Sequence, residues 1–126
     1  MSQEYVAGSC NIGKGEVRRR QVVALAGAVI SITSLVGLIS TDASGSARLS
    51  LFFPLMIFSI GFIQSRKKFC LAYGFMGTFN FGKLGQISRV SDPISKKADR
   101  KTALIILAQS TALALGLTLA TLALPR

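Results

Sequence analysis

The stretch VVALAGAVISITSLVGLIS, residues 22–40, decides the fold of this chain. It contains no charged side chain and is about as long as a helix must be to cross roughly 30 Å of hydrocarbon. Uncharged stretches follow at 49–64 and 102–124, and half of all residues are hydrophobic. A soluble protein of 126 residues could not bury three helices that are apolar on every face. We therefore predict an all-α membrane protein with three transmembrane helices, a helical hairpin plus one.

This prediction divides the chain into six segments. They are a loosely folded cytoplasmic N-terminal arm (1–21), transmembrane helix 1 (22–40), an outside turn (41–48), transmembrane helix 2 (49–64), a cytoplasmic basic and interfacial segment (65–101) and transmembrane helix 3 (102–124). The second span is short and needs flanking residues or local bilayer thinning to cross. Pro93 is expected to break the basic linker before the third span.

The basic residues predict the orientation. Of fifteen Lys and Arg residues, thirteen lie before the first span or between the second and third. Because cytoplasmic loops carry the excess of Lys and Arg, we predict a multi-pass protein of the bacterial plasma membrane, with the N terminus cytoplasmic and the C terminus outside. The net charge of +10 then indicates anionic phospholipid rather than nucleic acid as the partner. The residues expected at lipid headgroups are Arg18, Arg19, Arg20, Arg66, Lys67 and Lys68.

The letters VRRRQVVALAGA could also be a twin-arginine export signal, with ASGSA as a cleavage site. Cleavage there would leave a very small protein that is still mostly membrane-embedded. An uncleaved first span behind a basic stop explains the same residues, and we favour it.

The stretch FCLAYGFMGTFNFG, residues 69–82, is aromatic but interrupted by glycines. It is too short for a further span, and a fourth crossing would put the following basic linker outside. We therefore predict a cytoplasmic interfacial or re-entrant segment with its aromatic rings at headgroup depth.

Two phrases nearly repeat, CNIGKG at 10–15 and FNFGKLG at 79–85. Asn and Gly favour tight turns, and successive amides in a turn can bind an anion beside a lysine. The alternative is a pair of ordinary turns, since neither phrase has the spacing of a known phosphate loop. The predicted cytoplasmic turn constellation is Cys10, Asn11, Gly13, Lys14, Cys70, Asn80, Gly82 and Lys83.

The two cysteines, Cys10 and Cys70, would both lie in a reducing compartment, so we predict free thiols rather than a disulfide. With no histidine in the chain they cannot complete a four-ligand zinc site within one protomer, and we predict no metal and no cofactor. A site shared between protomers, a redox pair and acylation of a thiol stay open as alternatives.

The third span carries small residues every four positions on one helical face. A stripe of this kind lets two helix backbones approach closely in a membrane. It could pack internally against Ala24, Gly27, Ala28 and Ser31 of the first span, or it could mediate association with another chain. The stripe residues are Ala108, Ala112, Gly116 and Ala120.

No ionisable residue lies within a span, and no pattern of side chains indicates hydrolysis or ion coupling. We therefore predict a protein that is not an enzyme: an accessory or assembly subunit of a larger membrane complex, or a homo-oligomer, in contact with anionic lipid. The alternatives are a thiol-dependent redox or metal-handling membrane protein using Cys10 and Cys70, and a small oligomeric transporter.

With YVAGSCNIGKGEVRRR followed by KFCLAYGFMGTFNFG, the chain resembles a group of small bacterial multi-span membrane proteins. They carry a Cys-Asn-Ile-Gly phrase before the first span and an Asn-Phe-Gly phrase after a helical hairpin. The resemblance covers residues 5–20 and 66–85 and implies no particular activity. It implies that six residues act as one constellation: Cys10, Asn11, Gly13, Cys70, Asn80 and Gly82.

Overall fold

The computed structural model describes residues 5–81 and 87–124, which are mostly helical. Three of its helical stretches are long and apolar enough to cross a membrane, with mean hydropathies of 2.4, 1.7 and 1.9 in chain order. The prediction of three such helices is confirmed. The elements are α1 (Lys14–Ser40), a 3₁₀ segment (Gly45–Leu51), α2 (Phe52–Lys67), α3 (Leu71–Met76), β1 (Thr78–Phe79), β2 (Ser88–Arg89) and α4 (Pro93–Leu122).

Two of these helices begin earlier than their uncharged stretches. Helix α1 begins at Lys14, so residues 14–21 are helical rather than loosely folded. Helix α4 begins at Pro93, which is its first residue rather than a break. The Asp92 carboxylate caps α4 by accepting the Ile94 N–H at 3.2 Å, and proline suits the first helical position because no amide is needed there.

Helix α2 packs against both α1 and α4. The α1–α2 contact is close because two glycines lie in it: a Cβ added at Gly61 would stand 2.7 Å from the Ala24 backbone nitrogen, and one added at Gly27 would stand 2.8 Å from the Phe58 Cα. The small residues predicted on the first span therefore pack against the second span and not against the stripe on the third. The physical reason is that the two spans of a tight hairpin are the nearest neighbours in space.

Large apolar side chains face outward and small or polar ones face inward along all three long helices. Leu25, Ile32 and Val36 of α1 are each more than half exposed. The buried residues of α4 are Asp99, Ala103, Ile106, Ser110, Ala114 and Thr118. Helices that pack in lipid use small residues at their contacts and present bulky apolar ones to the acyl chains, which is the distribution observed.

At the end where α4 terminates, Arg48 of the 3₁₀ segment is 2% exposed. Its guanidinium donates to the backbone oxygens of Thr121 and Leu124, the latter at 2.9 Å. The last carbonyls of a helix have no partner within the helix, so this cation both satisfies them and complements the negative end of the dipole.

At the opposite end, the chain between α2 and α4 forms α3 and the antiparallel pair β1–β2. Helix α3 packs on α4. Phe69 is fully buried against Ala103 and Ile106 of α4 and fixes the position of α3. The aromatic segment thus packs on protein, as the requirement to satisfy non-helical backbone demands.

Candidate functional site

The two near-repeated phrases meet. The Gly13 N–H donates to the Asn80 backbone oxygen and the Asn80 N–H donates to the Asn11 backbone oxygen, both at 2.9 Å. This is a parallel bridge between Ile12 and Asn80. Asn11 is completely buried, and its side chain accepts the Cys70 N–H at 2.7 Å and donates to the Cys70 backbone oxygen at 3.1 Å. The Asn11 amide thus ties the arm to the start of α3.

Beneath this bridge lies a buried carboxylate, Glu16, on the first turn of α1. Glu16 is 1% exposed and accepts hydrogen bonds from the Tyr73 hydroxyl and, at 3.1 Å, from the Asn80 side-chain amide. It also forms an ion pair with Arg20, one turn along the same helix. The helix N terminus favours a negative charge at this position.

Arg20 extends the cluster to Cys70, the residue before α3. Its guanidinium donates to the Cys70 sulfur at 2.9 Å and lies 5.6 Å from the centroid of the Tyr73 ring. Because burial disfavours the charged phenolate and the Glu16 carboxylate accepts the Tyr73 proton in a hydrogen bond, the pKa of Tyr73 is raised above its ordinary value. Tyr73 therefore stays a neutral donor.

A second carboxylate fastens the N-terminal arm to α4. Asp99 is completely buried and accepts the Tyr5 hydroxyl and, at 2.7 Å, the Gly8 N–H. The Thr102 hydroxyl donates back to the Gly8 oxygen at 2.7 Å. Burial, followed by the hydrogen bond to Asp99, raises the pKa of Tyr5 well above its ordinary value.

We refer to Asn11, Glu16, Arg20, Cys70, Tyr73 and Asn80 as the polar cluster. Its buried ion pair is surrounded by hydrogen-bond donors supplied by α1, α3 and the chain after α3. When each buried charge is paired and hydrogen-bonded, the bonds fix how the elements pack against one another. The polar cluster therefore acts as a structural contact between elements.

The predicted constellation is brought together in part. Asn11, Gly13, Cys70 and Asn80 meet, whereas the Cys10 thiol donates to the Ile12 oxygen at 3.7 Å and Lys14 begins α1. Gly82 and Lys83 lie outside the described residues. The Gly13 and Asn80 backbone N–H groups donate to the facing backbone, and the Asn80 side-chain amide donates to the chain's own Glu16. Binding of a separate anion by these turns stays a prediction.

Five of the six cations predicted at lipid headgroups are exposed: Arg18, Arg19, Arg66, Lys67 and Lys68. Arg20 is not, because its side chain is 12% exposed and turned toward Glu16. A basic residue four positions after a buried acid on a helix meets that acid rather than the surface.

All four residues of the predicted packing stripe on α4, Ala108, Ala112, Gly116 and Ala120, are exposed. The face of α4 that packs internally is a different one. The sequence pattern identified the stripe correctly as a run of small residues but could not say which side of the helix the rest of the chain would occupy.

Sequence reasoning missed Glu16, Tyr73, Asp99 and Arg48 as buried polar residues. The acids looked scattered, since Glu16 and Asp99 are far apart in the chain and each lies beside basic residues. The structure pairs each of the two tyrosines with one of these carboxylates, and both contacts join residues distant in sequence.

Within residues 5–81 and 87–124, no three Cys, His, Asp or Glu residues lie close enough together to bind a metal ion. Both cysteines are free thiols.

The fold defines the class of the protein as helical, with three helices long and apolar enough to cross a membrane and the polar cluster at one end of them. Comparisons with protein families, with curated proteins and with solved structures found no match to this chain. The resemblance to small bacterial membrane proteins stays a prediction.

Proposed function

We propose that this chain is a non-catalytic accessory or assembly subunit of a larger membrane complex in the bacterial inner membrane. The observation that carries the proposal is the outward position of the α4 stripe. With about 100° between successive helix residues, the stripe lies roughly 150° around the helix from its buried face. A Cβ added at Gly116 would meet no heavy atom within 4 Å. Such a surface suits the close approach of a helix from another protein.

Gln109 supports the same conclusion. It lies beside the stripe and is exposed, and its side chain forms no hydrogen bond with any described residue. A primary amide facing hydrocarbon is costly, whereas the same amide facing a partner helix can bond across the interface. The stripe and Gln109 together define one docking face on α4, which we call the α4 outer face.

The polar cluster argues for a structural role. Its side chains form hydrogen bonds with one another, and it lies at the end of the helices that carries most of the exposed basic residues. Those exposed basic residues support an orientation with this end in the cytoplasm and in contact with anionic lipid. The packing of the aromatic segment against α4 supports its location at the same interface.

The test is extraction of the native membrane with a mild detergent, followed by a native gel and mass spectrometry of the co-migrating proteins. We expect the wild-type chain to migrate with a larger assembly and Gly116→Leu to migrate without it, because leucine holds the partner helix away. Gly37→Leu is the matched control, since a Cβ at exposed Gly37 on α1 also meets nothing within 4 Å. Migration of the wild type alone, or only as a homo-oligomer, would contradict the proposal.

One observation favours the thiol-dependent alternative. The Arg20 guanidinium lies 2.9 Å from the Cys70 sulfur, so this thiol has a cationic side chain as its partner. Cys10→Ser and Cys70→Ser variants separate the two functions. The accessory subunit retains its complex and its activity in the cell with either serine, whereas a redox protein loses its function.

A further inference from the structure

The first turns of α4 carry an exposed groove that neither the polar cluster nor the α4 outer face uses. The open space over it is about 560 Å³, and all six residues that line it belong to α4. Its lining residues are Ile94, Lys97, Ala98, Arg100, Lys101 and Leu104. Ile94 is 79% exposed and Leu104 is 54% exposed, so an apolar residue stands at each end of a cationic stretch.

Within the described residues, the three cations of the groove form no ion pair with an acid. Among the residues that the structure describes, the ion pairs are those of Glu16 with Arg19 and Arg20. The nearest carboxylate in sequence, Asp99, is completely buried and bonded to Tyr5 and Gly8. The groove therefore presents three positive charges that nothing within the described chain neutralises.

The position of the groove along α4 matches the edge of a bilayer. The uncharged stretch begins at Thr102, and a helix rises 1.5 Å per residue, so Lys97 lies about 7.5 Å before it. The headgroup layer of one leaflet is about 5–7 Å thick. Lys97, Arg100 and Lys101 thus reach the phosphates while Leu104 lies among the acyl chains.

We propose that this groove binds one anionic phospholipid, with its phosphate between Lys97 and Lys101 and an acyl chain along Leu104. The two lysines are four residues apart, which puts them on one side of the helix and about 6 Å apart along its axis. This deepens the lipid contact of the proposed function and rests on it for the membrane location. A second copy of the chain does not fit the groove, because it would bring a like charge of +10.

The N-terminal arm borders the groove. Gly8 lies against Ala98 and Thr102, where a Cβ added to it would stand 3.3 Å from the Thr102 hydroxyl. The arm is held there by Asp99, which accepts the Gly8 N–H, and Ala98 also lines the groove.

The test is native mass spectrometry of the purified full-length chain in detergent, titrated with phosphatidylglycerol or with phosphatidylcholine of the same acyl chains. We expect one phosphatidylglycerol to be retained by the wild type. For K97Q/R100Q/K101Q we expect retention about a hundredfold weaker, which corresponds to about 1 kcal/mol for each cation. Circular dichroism checks that the variant keeps its helices.

The matched control is R89Q/K96Q, which removes the same charge as K97Q/K101Q from exposed residues outside the groove and outside the cations predicted at lipid headgroups. R89Q/K96Q should retain the lipid as the wild type does, whereas K97Q/K101Q should bind it more weakly. Three results would overturn the proposal: equal loss in K97Q/K101Q and R89Q/K96Q, equal retention of the two lipids by the wild type, or no retention by the wild type. The measurement uses the isolated chain, so its outcome is separate from whether the chain migrates with a larger complex.

Discussion

Removal of the Glu16 carboxylate is expected to be a strongly damaging single change to the structure at the polar-cluster end of the helices. Glu16 is 1% exposed, and Glu16→Ala leaves three donors without their acceptor: the Tyr73 hydroxyl, the Asn80 amide and the Arg20 guanidinium. Loss of one member of a buried ion pair costs about 3–5 kcal/mol. We expect the free energy of unfolding to fall by about that amount.

A double-mutant cycle separates the ion pair from the other bonds. Glu16→Ala/Arg20→Leu removes the unpaired cation as well, so it should be less destabilised than Glu16→Ala alone, with a coupling of about 1–3 kcal/mol. Glu16→Gln keeps the shape and an acceptor oxygen and should cost about 1.5–3 kcal/mol. Equilibrium unfolding in mixed detergent micelles, followed by circular dichroism, measures all three. A Glu16→Ala variant within about 0.5 kcal/mol of wild type would refute the reasoning.

Two further predictions follow from the same contacts. Both tyrosines have a raised pKa, and the chain has no tryptophan, so an alkaline titration of near-ultraviolet absorbance should show tyrosinate forming well above pH 10 in the folded protein and near pH 10 after denaturation. Above pH 10 the unfolded state binds fewer protons than the folded state, so this contribution to the free energy of unfolding is intact below pH 10 and falls as pH rises. Tyrosinate formation with a midpoint at pH 10 in the folded protein would contradict both hydrogen bonds. Gly61→Ala should destabilise by about 1–3 kcal/mol, because its Cβ meets the α1 backbone. The control Gly37→Ala should stabilise slightly, by about 0.5–1 kcal/mol, since open space surrounds it and alanine is the better helix former; equal effects of the two changes, measured by unfolding, would show that α1 and α2 are not in close contact.

The distribution of small residues has a consequence for how the three helices associate. Helix α1 uses Ala24, Gly27 and Ser31 against α2, and α4 uses Ala103, Ser110 and Ala114 on its buried face. The α4 outer face is a second small-residue surface on the same helix. A helix with small residues on two opposite sides can pack against its own chain and against another at once.

The two ends of the helices are closed by different chemistry. At the end with the polar cluster, carboxylates receive donors from the arm, from α3 and from Asn80. At the other end, Arg48 satisfies the last carbonyls of α4. In both places a charged residue that looks like part of a surface loop in the sequence is buried, because helix termini and non-helical backbone must find partners where water is excluded.

The sequence by itself determined the class of the fold. Three long uncharged stretches set the number of apolar helices, because the length of each stretch and the absence of charge are local properties of the chain. The position of the basic residues next to the ends of those stretches is also a local property, and it is the basis for the predicted orientation. The near-repeat of the two asparagine-glycine phrases singled out Asn11 and Asn80, whose backbones the structure brings together.

Only the tertiary structure decided which polar residues that site contains and which helix faces are free. Glu16 is more than fifty residues from Tyr73 and from Asn80 along the chain, and it meets them because α1 and α2 form a hairpin that returns α3 to the start of α1. The side of α4 that stays open depends on where α2 lies, and nothing in the periodicity of α4 records that. Contacts between residues distant in sequence are set by the packing of whole helices, and that packing is a property of the assembled chain.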